Sequence, residues 1–193
     1  MKQVLGGCAL GTLLVCTGMA VAQHKDSRGG LPAHAQPYAG QEHRAISTFS
    51  DTEIADLRQG RGMGLARPAE LNGYPGPAHV LELAAELQLT DEQRNSVEAI
   101  FARMKHAAQS AGARYLEAEH AVDASFRSGS ASPEEIRSLV RQADSARAEV
   151  RIAHLNAHLK TAPLLSVEQR RRYAQLRGYE GPPNGRHEHG NQQ

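Results

Sequence analysis

Along this chain, long stretches in which apolar residues recur at steps of three and four alternate with short stretches rich in Gly, Pro and polar residues. The longest periodic stretch follows Thr90. Its stripe is Val97, Phe101, Met104, Ala108, Ala111, Tyr115, Ala118, Val122 and Phe126. That pattern predicts a helix from Asp91 to about Ser128, roughly 57 Å long at the usual rise per residue. Gly112 lies inside it, where a bend is tolerated, and Gly129 is a stop signal. Ser132-Pro133-Glu134-Glu135 then restarts the helix with a hydroxyl cap, Pro at the first position and Glu at the third. The returning stripe is Ile136, Leu139, Ala143, Ala146, Val150, Ala153 and Ala157, joined by Val140 and Ile152. This helix is expected to run to about Ala162, before Pro163.

Shorter elements flank the pair. Ser50 can cap a helix that has Asp51 and Glu53 at its positive end and Ile54 and Leu57 on its apolar face. Gly60, Gly62 and Gly64 punctuate the chain. A second short helix is expected through Leu65-Ala66 and Ala69-Glu70-Leu71, ended by Asn72-Gly73 and a rigid Tyr74-Pro75-Gly76-Pro77 connector. Val80, Leu81, Leu83, Ala84 and Leu87 mark a third. Residues 167 to 178 form the last, with Tyr173 and Leu176 facing inward. Residues 23–47 and 180–193 are rich in Gly, Pro, His, Asn and Gln and read as disordered tails.

The fold class is therefore all-α: a long antiparallel helical hairpin with short flanking helices, since helices joined by three or four residues must run antiparallel. A two-helix hairpin with an alanine-rich stripe is thin. Flanking helices or a partner chain must cover its apolar surface, and a homodimer is the natural solution.

One short block occurs twice. Leu89-Thr90-Asp91-Glu92-Gln93-Arg94 opens the first long helix, and Leu165-Ser166-Val167-Glu168-Gln169-Arg170 opens the last. Each is a capping box. The Thr90 or Ser166 oxygen accepts from an orphan first-turn N–H, and Gln93 or Gln169 reaches back to the N–H of the cap residue. The pattern resembles the LTxxQ family of periplasmic stress proteins, Spy/CpxP-type chaperones and adaptors, whose relatives include periplasmic heavy-metal sensor and resistance proteins. The resemblance covers roughly residues 77 to 179, and Ser166 replaces Thr in the second copy. It implies a curved, cradle-like dimeric assembly that binds unfolded envelope proteins, or docks on a sensor protein.

The N-terminus reads as an export signal. Lys2 supplies the positive end, Val4 to Met19 is mostly apolar or small, and Ala20-Val21-Ala22 is a cleavage site. Periplasmic localisation with cleavage after Ala22 outranks an uncleaved membrane anchor. It also outranks lipidation at Cys16, which follows the bulky Val15. The domain plan is a signal peptide over 1–22, a tail over 23–47, a helical domain over 48–179 and a His-containing tail over 180–193. Both cysteines, Cys8 and Cys16, fall inside the signal, so no disulfide or thiolate chemistry is expected beyond it. Removing the signal takes away Lys2 alone and leaves 21 basic against 21 acidic residues. That balance argues against nucleic-acid binding, which needs a basic footprint.

Nothing resembles a phosphate loop or dinucleotide fingerprint: Gly60-Arg61-Gly62-Met63-Gly64 has the wrong spacing, and no nucleotide site is expected. No nucleophile, base and oxyanion set can be assembled, so the chain reads as a non-enzyme requiring no cofactor. Histidine leaves one alternative open. His154 and His158 are one helical turn apart, and with the hairpin turn centred near Ser130 His106 faces His154. Three imidazoles could then hold zinc, nickel, cobalt or copper. The plainer reading makes them half-exposed groups flanking the alanine stripe. The tails add His24, His34, His43, His187 and His189, able at most to capture metal loosely. Finally, Arg137, Arg141, Arg147 and Arg151 on the returning helix, with Arg103 and Arg114 on its partner, outline a candidate client surface. Arginine stems can lie on apolar surface while their heads stay solvated. A solvated face interleaved with Asp144 and Glu149 is the alternative. The leading expectation is an ATP-independent chaperone, with heavy-metal sensing or resistance as the rival.

Overall fold

A computed structural model describes residues 36–179. The expected signal peptide, most of the first tail and the whole C-terminal tail lie outside the described residues. Residues 36–39 form a turn closed by the Ala39 N–H on the Gln36 carbonyl, in a unit separate from the one that starts at Gly40.

Among the described residues every regular element is helical. The order is α1 (Asp51–Gln59), α2 (Arg67–Glu70), α3 (Pro77–Glu82), α4 (Asp91–Arg127), α5 (Pro133–Thr161), a 3-10 turn (Ala162–Leu164) and α6 (Val167–Leu176). Local chemistry accounts for the boundaries. Ser50 caps α1 by accepting from the Glu53 N–H, and the Glu53 carboxylate accepts from the Ser50 N–H at 2.9 Å, so α1 also has a full capping box. Those bonds favour the charged form and hold the Glu53 carboxyl below its usual range. Gly60 ends α1 in the left-handed conformation, with φ 69°. Ser132 caps α5, with Pro133 at its first position. The third short helix stops at Glu82, earlier than its apolar pattern suggests. Turns carry the chain on to Gln88, whose φ is +51°.

The long helices α4 and α5 pack along each other in opposite directions. Near the connection the Ser125 hydroxyl donates to Glu135 at 3.0 Å. Further along, Ala111 and Leu116 share a core cluster with Val150, and Ile100 and Met104 share one with Ala157. A strap formed by residues 46–79 lies over both. Ile46, Phe49, Ile54 and Leu57 enter the Ala111–Val150 cluster, and the Phe49 and Tyr115 rings meet edge to face at 5.1 Å. Leu57 is almost fully buried, a burial worth about 1.5–3 kcal/mol. The segment before Thr48, expected as the end of a tail, is tied to α4. Ser47 N–H donates to Asp123 at 2.7 Å and Arg127 donates to the Arg44 carbonyl at 3.1 Å.

Several stripe positions differ from expectation. Ile100 and Leu116 are buried, while Phe101 and Tyr115, one position away from them, are only half-buried. Covering α4 from two sides, by α5 and by the strap, rotates and widens its buried band. Phe126, Val140 and Ile152, expected inward, are exposed, as is Leu176. α4 continues through Gly112 without a break. The glycine is required because a Cβ there would sit 2.6 Å from the Leu57 carbonyl. α1 crosses α4 at backbone contact.

Candidate functional site

Two features could carry function: a brace between the repeated boxes, and a cavity beneath the strap. The brace comes first because the boxes build it. Thr90 accepts from the Gln93 N–H at 3.2 Å and Ser166 from the Gln169 N–H at 3.1 Å. The side-chain oxygens of Gln93 and Gln169 accept in turn from the Thr90 and Ser166 N–H groups. Both glutamine amides have donors left over, and these cross between the boxes. Gln93 Nε2 donates to Gln169 Oε1 at 2.9 Å, and Gln169 Nε2 donates to Gln93 Oε1 at 3.0 Å. Gln93 also reaches the Leu164 carbonyl at 2.8 Å, and Gln169 the Leu87 carbonyl at 3.2 Å. Glutamine suits this place because only an amide both accepts at the cap and donates across. Leu165 is buried and Leu89 half-buried beside them, in the cluster of Val80, Leu87, Val97 and Tyr173.

The cavity holds about 870 Å³ between the strap and the α4–α5 pair. Its walls include the Gly60–Gly64 loop, Glu70, Pro77, His79, Phe101, Met104, His154, His158 and Tyr179. Glu70 is its hub. The Tyr173 hydroxyl donates to Glu70 Oε1, and the Tyr179 hydroxyl donates to the same oxygen at 3.0 Å. His79 Nδ1 lies 3.5 Å and Arg177 Nε 3.7 Å from that oxygen, and His158 Nδ1 lies 3.6 Å from Oε2. Burial, then the bond to Glu70, pushes the Tyr173 phenol far above its usual range.

Of the three histidines expected to converge, two come together and one does not. His154 and His158 are buried one turn apart on α5, while His106 is exposed on α4. Among the described residues no group of three or more His, Cys, Asp or Glu is placed to hold a metal ion, so the His106–His154–His158 triad is not assembled. Backbone register put His106 opposite His154 but did not fix the direction of its side chain. The strap takes up the buried pair instead. His158 Nδ1 donates to the Tyr74 carbonyl at 2.7 Å, and its ring presses so closely on Gly76 that a Cβ there would lie 2.7 Å from Cε1. The His154 ring lies against Gly62 in the same way. Burial, then the neighbouring His158, lowers the His154 pKa; the Gly60 carbonyl opposes them. The tail histidines His24, His34, His187 and His189 lie outside the described residues, and no third ligand comes from His43.

A family profile described as LTXXQ motif family protein matches residues 78–177. The chain belongs to that family. No curated protein and no solved structure matches the chain. The matched span runs from the start of α3 to the end of α6 and contains both boxes and their brace. It leaves out most of the strap, including Glu70 and the Gly60–Gly64 loop.

The arginines expected from their distribution to form a client surface are all exposed. Arg114 bonds to Ser110 on its own helix. Arg103, Arg137, Arg141, Arg147 and Arg151 form no ion pair among the described residues. Arg114, Arg137 and Arg141 line a groove of about 730 Å³ between α4 and α5, together with Glu117, Glu134, Glu149, Ala118 and Ala146. Glu70, His79 and Tyr173 escaped notice as a group in the sequence. Glu70 and Tyr173 are 103 positions apart, and no local spacing links them.

Proposed function

We propose that this protein is an exported, ATP-independent chaperone of the cell envelope that binds unfolded clients without catalysing a reaction. The observation that carries the reading is the composition of the α5 surface. Val140, Ile152 and Leu159 are 43, 45 and 55% exposed and share α5 with the exposed Arg137, Arg141 and Arg151, which have no acidic partner among the described residues. Such a face offers apolar contact and mobile charge together, so mixed-character segments bind weakly and exchange. Membership of the LTXXQ motif family supports it. With no phosphate-binding loop in the sequence, release follows from weak contacts. The working form is a homodimer in which a second copy extends this surface.

An aggregation assay with a chemically denatured client tests the reading. Suppression without nucleotide at near-stoichiometric protein is expected, reduced when Ile152 and Leu159 are both changed to Ser. No suppression across several clients would refute it. Sedimentation at micromolar concentration tests the dimer, and a stable monomer would remove that part. The rival, sensing or buffering a divalent transition metal, has two buried imidazoles one turn apart in its favour. Metal titration of the chain with and without residues 23–35 and 180–193 separates it from the chaperone reading.

A further inference from the structure

Two buried side-chain polar atoms among the described residues have no hydrogen-bond partner, Glu70 Oε2 and His154 Nε2, and both belong to residues that line the cavity under the strap. A buried polar atom left unpaired is costly, and two such atoms on one cavity point to something that completes them. Their chemistry selects the occupant. Glu70 Oε2 is a carboxylate oxygen, which accepts only. His154 turns Nδ1 toward the Gly60–Gly62 loop, which leaves Nε2 as the bare lone pair of a neutral ring. Both are therefore acceptors, so the occupant donates.

Metal ions and O–H or N–H donors all meet such atoms; the buried carboxylate among them favours an occupant that is a cation as well as a donor. A metal needs ligand atoms gathered within about 2 Å of one point, and no such group of three is present among the described residues. A guanidinium does not need them gathered. Its five N–H donors point outward from a planar fork, so it can bridge acceptors on separate elements. The walls fit the rest of an arginine side chain: half-buried Phe101 and exposed Met63 supply apolar surface for the methylene stem. His158 Nδ1, 3.6 Å from Oε2, is already committed to the Tyr74 carbonyl, and the other charged groups around Glu70 leave that place open. Arg177 approaches Oε1, the oxygen already held by the two tyrosines, and Arg61 is paired with Asp56 at 2.8 Å. Arg67, Lys105 and Glu82 stand elsewhere on the lining.

We propose that this cavity receives an arginine side chain of a bound polypeptide, its guanidinium held between Glu70 and His154. The proposal rests on the reading that the protein binds unfolded polypeptides, and it gives that binding a side-chain preference. The Gly60–Gly64 loop forms one wall of the cavity, with Gly60, Met63 and Gly64 all at positive φ.

Calorimetry on the full chain with N-acetyl-arginine amide, against the neutral isostere N-acetyl-citrulline amide, tests it. Arginine should bind, and citrulline should bind at least about tenfold more weakly, since the lost interaction is charge-assisted. Glu70→Gln and His154→Ala should each weaken arginine binding by a similar factor, with helical content checked by circular dichroism. Glu70→Gln preserves shape and serves if His154→Ala fails to fold. Equal binding of the two amides, no binding of either, or zinc binding lost in Glu70→Gln without arginine binding would each overturn the proposal. A client aggregation assay run alongside separates the failures. Suppression that survives Glu70→Gln, with no arginine binding, overturns this site and leaves the proposed function standing. No suppression by the wild type overturns that function, while arginine binding lost in Glu70→Gln still supports the site.

Discussion

Gln93 and Gln169, 76 positions apart, hydrogen-bond to each other reciprocally, amide to amide, while each also caps its own helix. The glutamine of each box is thus a cross-link as well as a cap. Gln93→Ala or Gln169→Ala should cost about 2–3 kcal/mol, because each removes a cap bond and strands partners on the other box. Urea unfolding measures it. A double-mutant cycle should return a coupling of about 1 kcal/mol. Additive single effects would mean that the amide pair contributes nothing.

The hydroxyl caps should matter less. Thr90→Ala and Ser166→Ala remove one bond each at exposed helix starts and should each destabilise by about 1 kcal/mol, as should Ser50→Ala. Thermal melts of the three variants check this. Client suppression should persist at temperatures below the lowered midpoint.

Gly112→Ala sets two effects against each other. On propensity alone, Ala in a helix interior gains about 1 kcal/mol over Gly. Here the new Cβ would lie 2.6 Å from the Leu57 carbonyl, a backbone atom that can move only if α1 lifts from α4. Overpacking should win, with a net loss of about 1–3 kcal/mol. A higher unfolding midpoint in Gly112→Ala would show that the α1–α4 contact is looser than described.

His154 gives the pH dependence a sign. Its pKa is lower in the folded chain than the unfolded value of about 6.5, so the unfolded state takes up its proton first as pH falls. The stabilising contribution is complete above that value and declines as pH drops below it toward the folded pKa. Stability curves at pH 7.5 and pH 5.5 should therefore differ, and His154→Gln should shrink the difference. An undiminished difference in that variant would place the acid sensitivity elsewhere. The Glu53 contribution, lost only at still lower pH, does not overlap this window.

Helix starts were legible in the sequence because capping is local: Ser50, Thr90, Ser132 and Ser166 all cap where the residue pattern put them. The buried face of α4 was legible to within one position. Ile100 displaced Phe101 and Leu116 displaced Tyr115, since a stripe drawn for one neighbour shifts when a second element covers the same helix. The site was less readable. His154 and His158 were found by their spacing. Glu70 and Tyr173 were not, because the strap that unites them is short, glycine-punctuated and weakly periodic. The amide pair was hidden for a related reason: each glutamine satisfied a complete local rule, and nothing local reported its spare donors.

The strap has a consequence for the order of assembly. The α4–α5 contacts near Ser125 and Glu135 join residues only ten apart, so that pairing can form rapidly from neighbouring chain. The strap closes against residues far ahead of it: Tyr74 meets His158 across 84 positions and Glu70 meets Tyr173 across 103. On a nascent chain it emerges before α4, so its α1 part has no partner until α4 follows, and Tyr74 and Glu70 have none until α5 and α6 are made. Ile46, Phe49, Ile54 and Leu57 stay uncovered for that interval. A protein proposed to shield the exposed apolar segments of others would carry, during its own synthesis, a segment in need of the same shielding.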